Sequence, residues 1–84
     1  MTNKFNSVRE YIESINDDEF LWEMIANYEQ FEQDGSIGDC TLRTNAELIS
    51  KELSIPPHNI VMMMDRVALE CYRYFAHKYK GQNQ

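Results

Sequence analysis

Four side chains of this sequence have the chemistry of zinc ligands: Cys40, His58, Cys71 and His77. A zinc ion needs its ligands to converge tetrahedrally, yet Cys71 and His77 stand about 120° apart around a helix of 3.6 residues per turn. They cannot both face one ion while that helix is regular. A calcium loop centred on Asp34-Gly35-Ser36-Ile37 would open at Gln30 and close at Thr41, so its bidentate carboxylate is missing. Gly35-Ser36-Ile37-Gly38 is too short to cradle a nucleotide phosphate and lacks the Lys-Ser/Thr that such a loop needs. Cysteine and histidine are both present for nucleophilic chemistry, but Cys71 falls on a core-facing position, where a thiol is an inert small hydrophobe. The acids are many, and no pair of them stands on an apolar face that would raise a pKa for general acid work. The expectation is a protein with no catalytic residues, no metal and no cofactor.

The elements that carry these residues read as helices. Ser7-Val8-Arg9-Glu10 has the form of a capping box, followed by Val8, Tyr11, Ile12 and Ile15 at helical spacing, which predicts a first helix over 7–15. Asn16-Asp17-Asp18-Glu19 caps a second helix with acids where the helix dipole favours them. Its apolar stripe is Phe20, Leu21, Met24, Ile25, Tyr28 and Phe31, and Gly35 ends it. Residues 35–43 are a connector with room for a short extended piece. Thr44-Asn45-Ala46-Glu47 reads as a second capping box, opening a third helix that runs to Leu53. Pro56 and Pro57 fit ahead of a fourth helix or in its first turn, and the helical pattern then continues to Tyr79. The fold class expected is all-α: one small four-helix domain over 1–84, with residues 1–5 and 81–84 as frayed ends.

Length and charge narrow the function classes. Eighty-four residues support one core, and such a chain buries roughly 60–65% of its unfolded surface. Two cysteines make no disulfide framework, which suits a reduced, cytoplasmic home. No cleavable export signal and no run of membrane-spanning length is present, so a membrane partner is not expected. The net charge of −6 is unevenly placed. Residues 1–39 hold ten acids and two bases, a net of −8, whereas residues 40–84 hold four acids and six bases, a net of +2. That asymmetry either orients association or only keeps an acidic face solvated.

Glu47 to Met63 carries a further pattern. Ile49 and Ser50 form an apolar–small pair, Ser54 stands at a turn position usually held by glycine, Ile55 follows as the apolar turn residue, and Ile60 and Met63 are two inward positions of the next helix. This stretch resembles the helix-turn-helix family, closely over about 20 residues, and with its flanking helices the chain is similar to a winged-helix core without the wing. The resemblance implies a second helix whose outward side would read base edges. Here that side would show Pro57, His58, Val61, Met62 and Asp65, which offer no strong donor to a base edge and one charge that repels phosphate. Direct nucleic-acid binding is therefore the alternative reading: a transcription regulator with Arg43, Lys51, Arg66 and Arg73 on phosphates.

Two surfaces fit a protein partner better. The second helix presents Glu19, Glu23, Ala26, Gln30, Gln33 and Asp34 on its polar side, with Trp22 off the apolar stripe and Glu29 beside it. Trp22 is either a part-exposed anchor among acids or a residue packed under the first helix or the C-terminal tail. The partner-binding candidates on this acidic side are Asp17, Asp18, Glu19, Trp22, Glu23, Glu29, Glu32 and Asp34. On the last helix, Ile60, Met64, Val67, Cys71 and Phe75 mark the inner face, while Met62, Leu69 and Ala76 recur every seven residues outside, beside Arg66, Arg73 and Lys80. That seam suits a helix–helix contact or a homodimer; the alternative is that its apolar residues stand as isolated surface positions. The function expected is a non-catalytic, protein-binding module, an inhibitor or adaptor whose partner has a basic surface. By analogy with small phage-encoded inhibitors, nucleic-acid-handling machinery is one such partner.

Overall fold

A computed structural model of the chain describes residues 6–35, 38–54 and 60–80. The described residues form four α-helices and no strand: α1 (Val8–Ile15), α2 (Asp18–Asp34), α3 (Thr41–Glu52) and α4 (Ile60–Lys78). The protein is a small all-α domain. No helix among the described residues is long and apolar enough to cross a membrane. The expected frayed ends, the proline pair, Ile55 and His58 lie outside the described residues.

Local chemistry sets most helix ends. Ser7 caps α1, its hydroxyl accepting from the Glu10 amide at 3.2 Å. The reciprocal half of the expected capping box is displaced by one residue, because the Glu10 carboxylate accepts from the Asn6 amide at 2.9 Å and not from Ser7. Asn16 ends α1 in the left-handed region at φ 49°, a conformation its short amide side chain tolerates. Asp17 caps α2, and Gly35, at φ 69°, closes it by donating its amide to the Phe31 carbonyl at 2.7 Å.

The third helix corrects the sequence reading. It begins at Thr41 with Cys40 as the cap, four residues before the expected cap Thr44. Thr44 is inside the helix, so Thr44-Asn45-Ala46-Glu47 is no capping box and the extended piece expected before it is absent among the described residues. The physical reason is tertiary. An early start puts Leu42, Ala46 and Ile49 on one buried face, each fully enclosed. The Leu42 amide, which the first turn of a helix leaves without an intrahelical partner, donates instead to the Asn27 side-chain carbonyl at 3.1 Å.

α4 is the central element, packing against all three other helices, whereas α1 and α2 touch each other sparsely. Its buried face, Met64, Val67, Cys71 and Phe75, meets Ile12 and Tyr11 of α1, Leu21, Met24 and Ile25 of α2, and Leu42 and Ile49 of α3 in one core. A buried polar link ties α1 to α3: the Tyr11 hydroxyl donates to the Asn45 side-chain carbonyl, and the Asn45 amide donates to the Thr41 carbonyl at 2.8 Å. The domain is flat, with principal extents of 42 × 37 × 17 Å.

The start of α2 is fastened to the end of α4. Lys78 reaches both oxygens of Asp18 at 2.9 and 3.0 Å and lies over the rings of Tyr74 and Tyr79, while the Tyr79 hydroxyl donates to the same carboxylate. The Tyr79 hydrogen bond, and then Lys78, holds the Asp18 carboxyl below its ordinary range. A depressed folded-state value contributes stability above the unfolded carboxylate range and loses it as pH falls through the folded value. Asp18→Asn is therefore expected to lower the melting temperature at neutral pH, with the difference closing in acid. Melting curves of the two proteins from neutral pH downward test this, and a gap that persists in acid contradicts it.

Candidate functional site

Only part of the two sequence-predicted surfaces meets, along the flank of α4 that α2 covers. Three contacts show α2 running antiparallel along one flank of it: Asp18 to Lys78, Glu29 to Tyr72 at 3.2 Å, and the Tyr28 hydroxyl donating to Asp65. The hydrogen bond to Asp65 pushes the Tyr28 phenol up to about 12. Trp22 sits on the same flank. Its ring stacks on Phe75 with centroids 4.3 Å apart and planes 17° from parallel, yet the residue remains 52% exposed. Trp22 is thus part-exposed, and the ring it packs on belongs to the last helix, where the alternative expectation had the first helix or the C-terminal tail.

Helical spacing places Tyr72 one turn before Phe75 and about 60° round α4 from it, with Ala76 and Leu69 about 100–120° round. Leu69 and Tyr72 are partly exposed at 42% and 41%, Ala76 is exposed, and Ala26 is exposed one turn after Trp22 on α2. Trp22 and Tyr72 therefore share the α2 flank of α4, where Glu29 accepts from Tyr72, and Leu69 and Ala76 are exposed further round the same helix. Met62 is 71% exposed at the far end of the ridge, next to exposed Val61 and Asp65.

The predicted acids do not form one sheet of charge. Asp17 is the cap of α2, accepting from the Phe20 amide at 3.2 Å, and Asp18 is held in the Lys78–Tyr79 clamp. Glu23 turns to α3, where it accepts from Thr41, and Glu29 turns to α4. Asp34 accepts from Gln30, and Glu32 is exposed near Tyr28. Glu19 is exposed on the outward side with Glu23, Gln30 and Gln33.

The basic edge of α4 has a different occupation from the one its seven-residue spacing suggests. Arg66 and Arg73 both turn to Glu70, at 3.3 and 3.2 Å, and Arg9 of α1 reaches the same carboxylate at 3.4 Å. Glu70 is only 3% exposed, whereas the three arginine side chains are each more than half exposed. Arg66 and Arg73 are thus positioned toward α1, away from Trp22. Lys80 is exposed beyond the end of α4. This buried carboxylate was missed in the sequence, although Arg66, Glu70 and Arg73 stand at the i, i+4 and i, i+3 spacings that bring such groups together. Between α1 and the end of α4 lies an open groove of about 440 Å³, lined by Arg9, Glu13, Glu70, Arg73, Tyr74 and His77 among others.

Ile49, Ser50 and Met63 are buried, and Ser54 adopts the left-handed region at φ 59°. α3 and α4 form the most extensive helix contact of the domain. The outward residues described at the start of α4 are Val61, Met62 and Asp65, two apolar and one acidic.

Among the described residues no three metal-capable side chains gather. Cys71 is fully enclosed, and burial, followed by the neighbouring Glu70 charge, pushes its thiol up to about 12. Cys40 is half-buried, its sulfur accepting from the Arg43 amide at 3.5 Å. A thiol reagent is expected to modify Cys40 promptly and Cys71 only as fast as the domain opens. Two equal fast phases in a reagent time course would contradict that order.

Comparison of the chain with protein-family models, with curated proteins and with solved structures gives no match to any of the three.

Proposed function

We propose that this protein is a non-catalytic, protein-binding module, an inhibitor or adaptor, whose contact surface is the α2–α4 face centred on Trp22. The observation that carries the reading is the half-open tryptophan. Phe75 holds its ring from behind, so little side-chain freedom is lost when a partner covers the other face. Tryptophan in such a setting is the residue type most often found at the energetic centre of an interface. Leu69, Tyr72 and Ala76 extend the apolar area, and Glu19, Glu23 and Glu29 supply an acidic rim, which favours a partner with a basic surface.

The placement of Arg66 and Arg73 bears on self-association. Because both turn toward Glu70 and α1, a second copy would bring its arginine flank to the acidic flank of the first, a head-to-tail contact between unlike surfaces. The outward residues of α4 favour protein over duplex: Val61 and Met62 have no side-chain donors, and Asp65 opposes phosphate.

Light scattering over a wide concentration range, with pull-down from the native host using wild type and Trp22→Ala, tests the proposal. Recovery of a partner or of a concentration-dependent oligomer, lost in the variant and weakened by salt, supports it. A strictly monomeric protein whose captured partners are indifferent to Trp22→Ala, or a saturable gel shift with duplex at moderate salt, overturns it.

A further inference from the structure

The outer ridge of α4 is apolar along its crest and oppositely charged on its two sides. Met62, Leu69 and Ala76 are exposed along the crest at seven-residue intervals. At about 100° per residue, Asp65 and Tyr72 stand about 40–60° to one side of Leu69, and Arg66 and Arg73 about 40–60° to the other. The first flank is acidic: Asp65 is exposed, the Tyr72 hydroxyl holds the Glu29 carboxylate at 3.2 Å, and α2 behind them has no lysine or arginine. The second flank shows the heads of Arg66 and Arg73, each more than half exposed. Both contact Glu70, but that carboxylate is enclosed, so the guanidiniums face outward. Glu13 lies across the groove on α1 and not on the ridge.

We propose that this ridge is the contact between two copies of the chain, whose α4 helices lie side by side, parallel and in register. A two-fold axis running along α4 sets Met62, Leu69 and Ala76 on their own counterparts. It also sets the arginine flank of each copy against the acidic flank of the other. Arg66 then faces Asp65 of the second copy, and Arg73 faces Tyr72 and Glu29. The contact between unlike flanks is made twice and closes, where a single head-to-tail contact stays open. Reversing one helix brings each flank against its like, so charge selects the parallel pair. Arg66 turns to the second copy at little cost, because exposed ion pairs are weak and Arg9 and Arg73 remain on Glu70. A contact one helix wide is smaller than a standard interface, so a dissociation constant on the order of 100 μM is expected.

Sedimentation equilibrium of the full chain at low salt, up to about 1 mM, is expected to show a monomer–dimer equilibrium that stops at two copies. Arg66→Glu and Asp65→Arg should each weaken it by about tenfold or more, because each creates two like-charge contacts. An equimolar mixture of these two variants should recover the dimer, since every reversed charge then meets an opposite one across the interface. Mixing repairs no fold, so recovery reports the contact between copies. A cross-link that needs neither charge variant gives the orientation. With Cys40→Ser, which keeps a good cap on α3, Ala76→Cys is expected to oxidise to a disulfide-linked pair. A wild type that is monomeric at about 1 mM overturns the proposal. So do assemblies larger than two, or a mixture of the two folded charge variants that stays monomeric. Faster cross-linking of Met62→Cys to Ala76→Cys than of Ala76→Cys to itself also overturns it, because it means antiparallel helices. Met62 is about 20 Å along α4 from Phe75, so Met62→Glu should abolish the dimer and leave partner capture by the Trp22 face unchanged. Either reading can therefore fail alone.

Discussion

Replacing Arg9, Arg66 and Arg73 together with glutamine is expected to destabilise the domain by about 2–3 kcal/mol, whereas Glu70→Met is expected to be neutral or stabilising by about 1 kcal/mol. The asymmetry follows from where each charge sits. Glu70 is enclosed, and without the guanidiniums its carboxylate has lost its counter-charges in the interior. The arginine heads are more than half exposed, so without Glu70 they turn into water and leave no charge stranded. Solvent screening of those exposed heads brings the expected loss just below the roughly 3–5 kcal/mol of a broken, fully buried ion pair. A methionine at position 70 meets the adjoining apolar residues and fits irregular space. For a domain this small, whose total stability is on the order of 5 kcal/mol, the triple substitution removes about half. Urea unfolding at constant ionic strength reads both values. Equal destabilisation by the two changes would mean that the pairing, and not burial of the carboxylate, holds α1 to α4.

The second large effect concerns the Trp22 face. Trp22→Ala is expected to weaken partner binding or self-association by about 30- to 100-fold, the loss of an interface anchor worth about 2–3 kcal/mol. It also removes the stack on Phe75, so folding stability should fall by about 1 kcal/mol. Leu69→Glu separates the two roles. Leu69 is 42% exposed and outside the core, so its substitution should leave unfolding almost unchanged while placing a charge in the middle of the apolar face. Loss of binding in both variants, with a stability loss in only the first, supports the assignment. If Leu69→Glu binds as wild type does, the face is not the contact surface.

Much of this fold is legible from local chemistry. Ser7, Asp17 and Gly35 mark helix ends because each interacts with backbone within four residues, and such signals lie within the sequence window. The apolar periods of α2 and α4 identify Leu21, Met24, Ile25, Met64, Val67, Cys71 and Phe75 as inward, and all of them are buried. The start of α3 is not legible in this way. Thr44-Asn45-Ala46-Glu47 carries a local capping signal, but the burial of Leu42 and the hydrogen bond from its amide to Asn27, fifteen positions earlier, extend the helix past it. The candidate surfaces divide similarly. Helical geometry alone puts Trp22 off the core line and Leu69 outside, whereas the stacking of Trp22 on Phe75 depends on the antiparallel pairing of α2 and α4. The seven-residue recurrence of Arg66 and Arg73 looks like a free basic edge until α1 brings Arg9 to the same carboxylate.

The role of α4 as the helix that touches every other one has a consequence for biosynthesis. A ribosome delivers the chain from its N-terminus, so α1, α2 and α3 emerge while their common packing partner is still in the exit tunnel. α1 and α2 alone share few contacts, and the fastening of Asp18 to Lys78 joins positions 60 apart. Nascent chains stalled before position 60 should therefore remain open to proteases. Protection should arise abruptly once the last helix has cleared the tunnel.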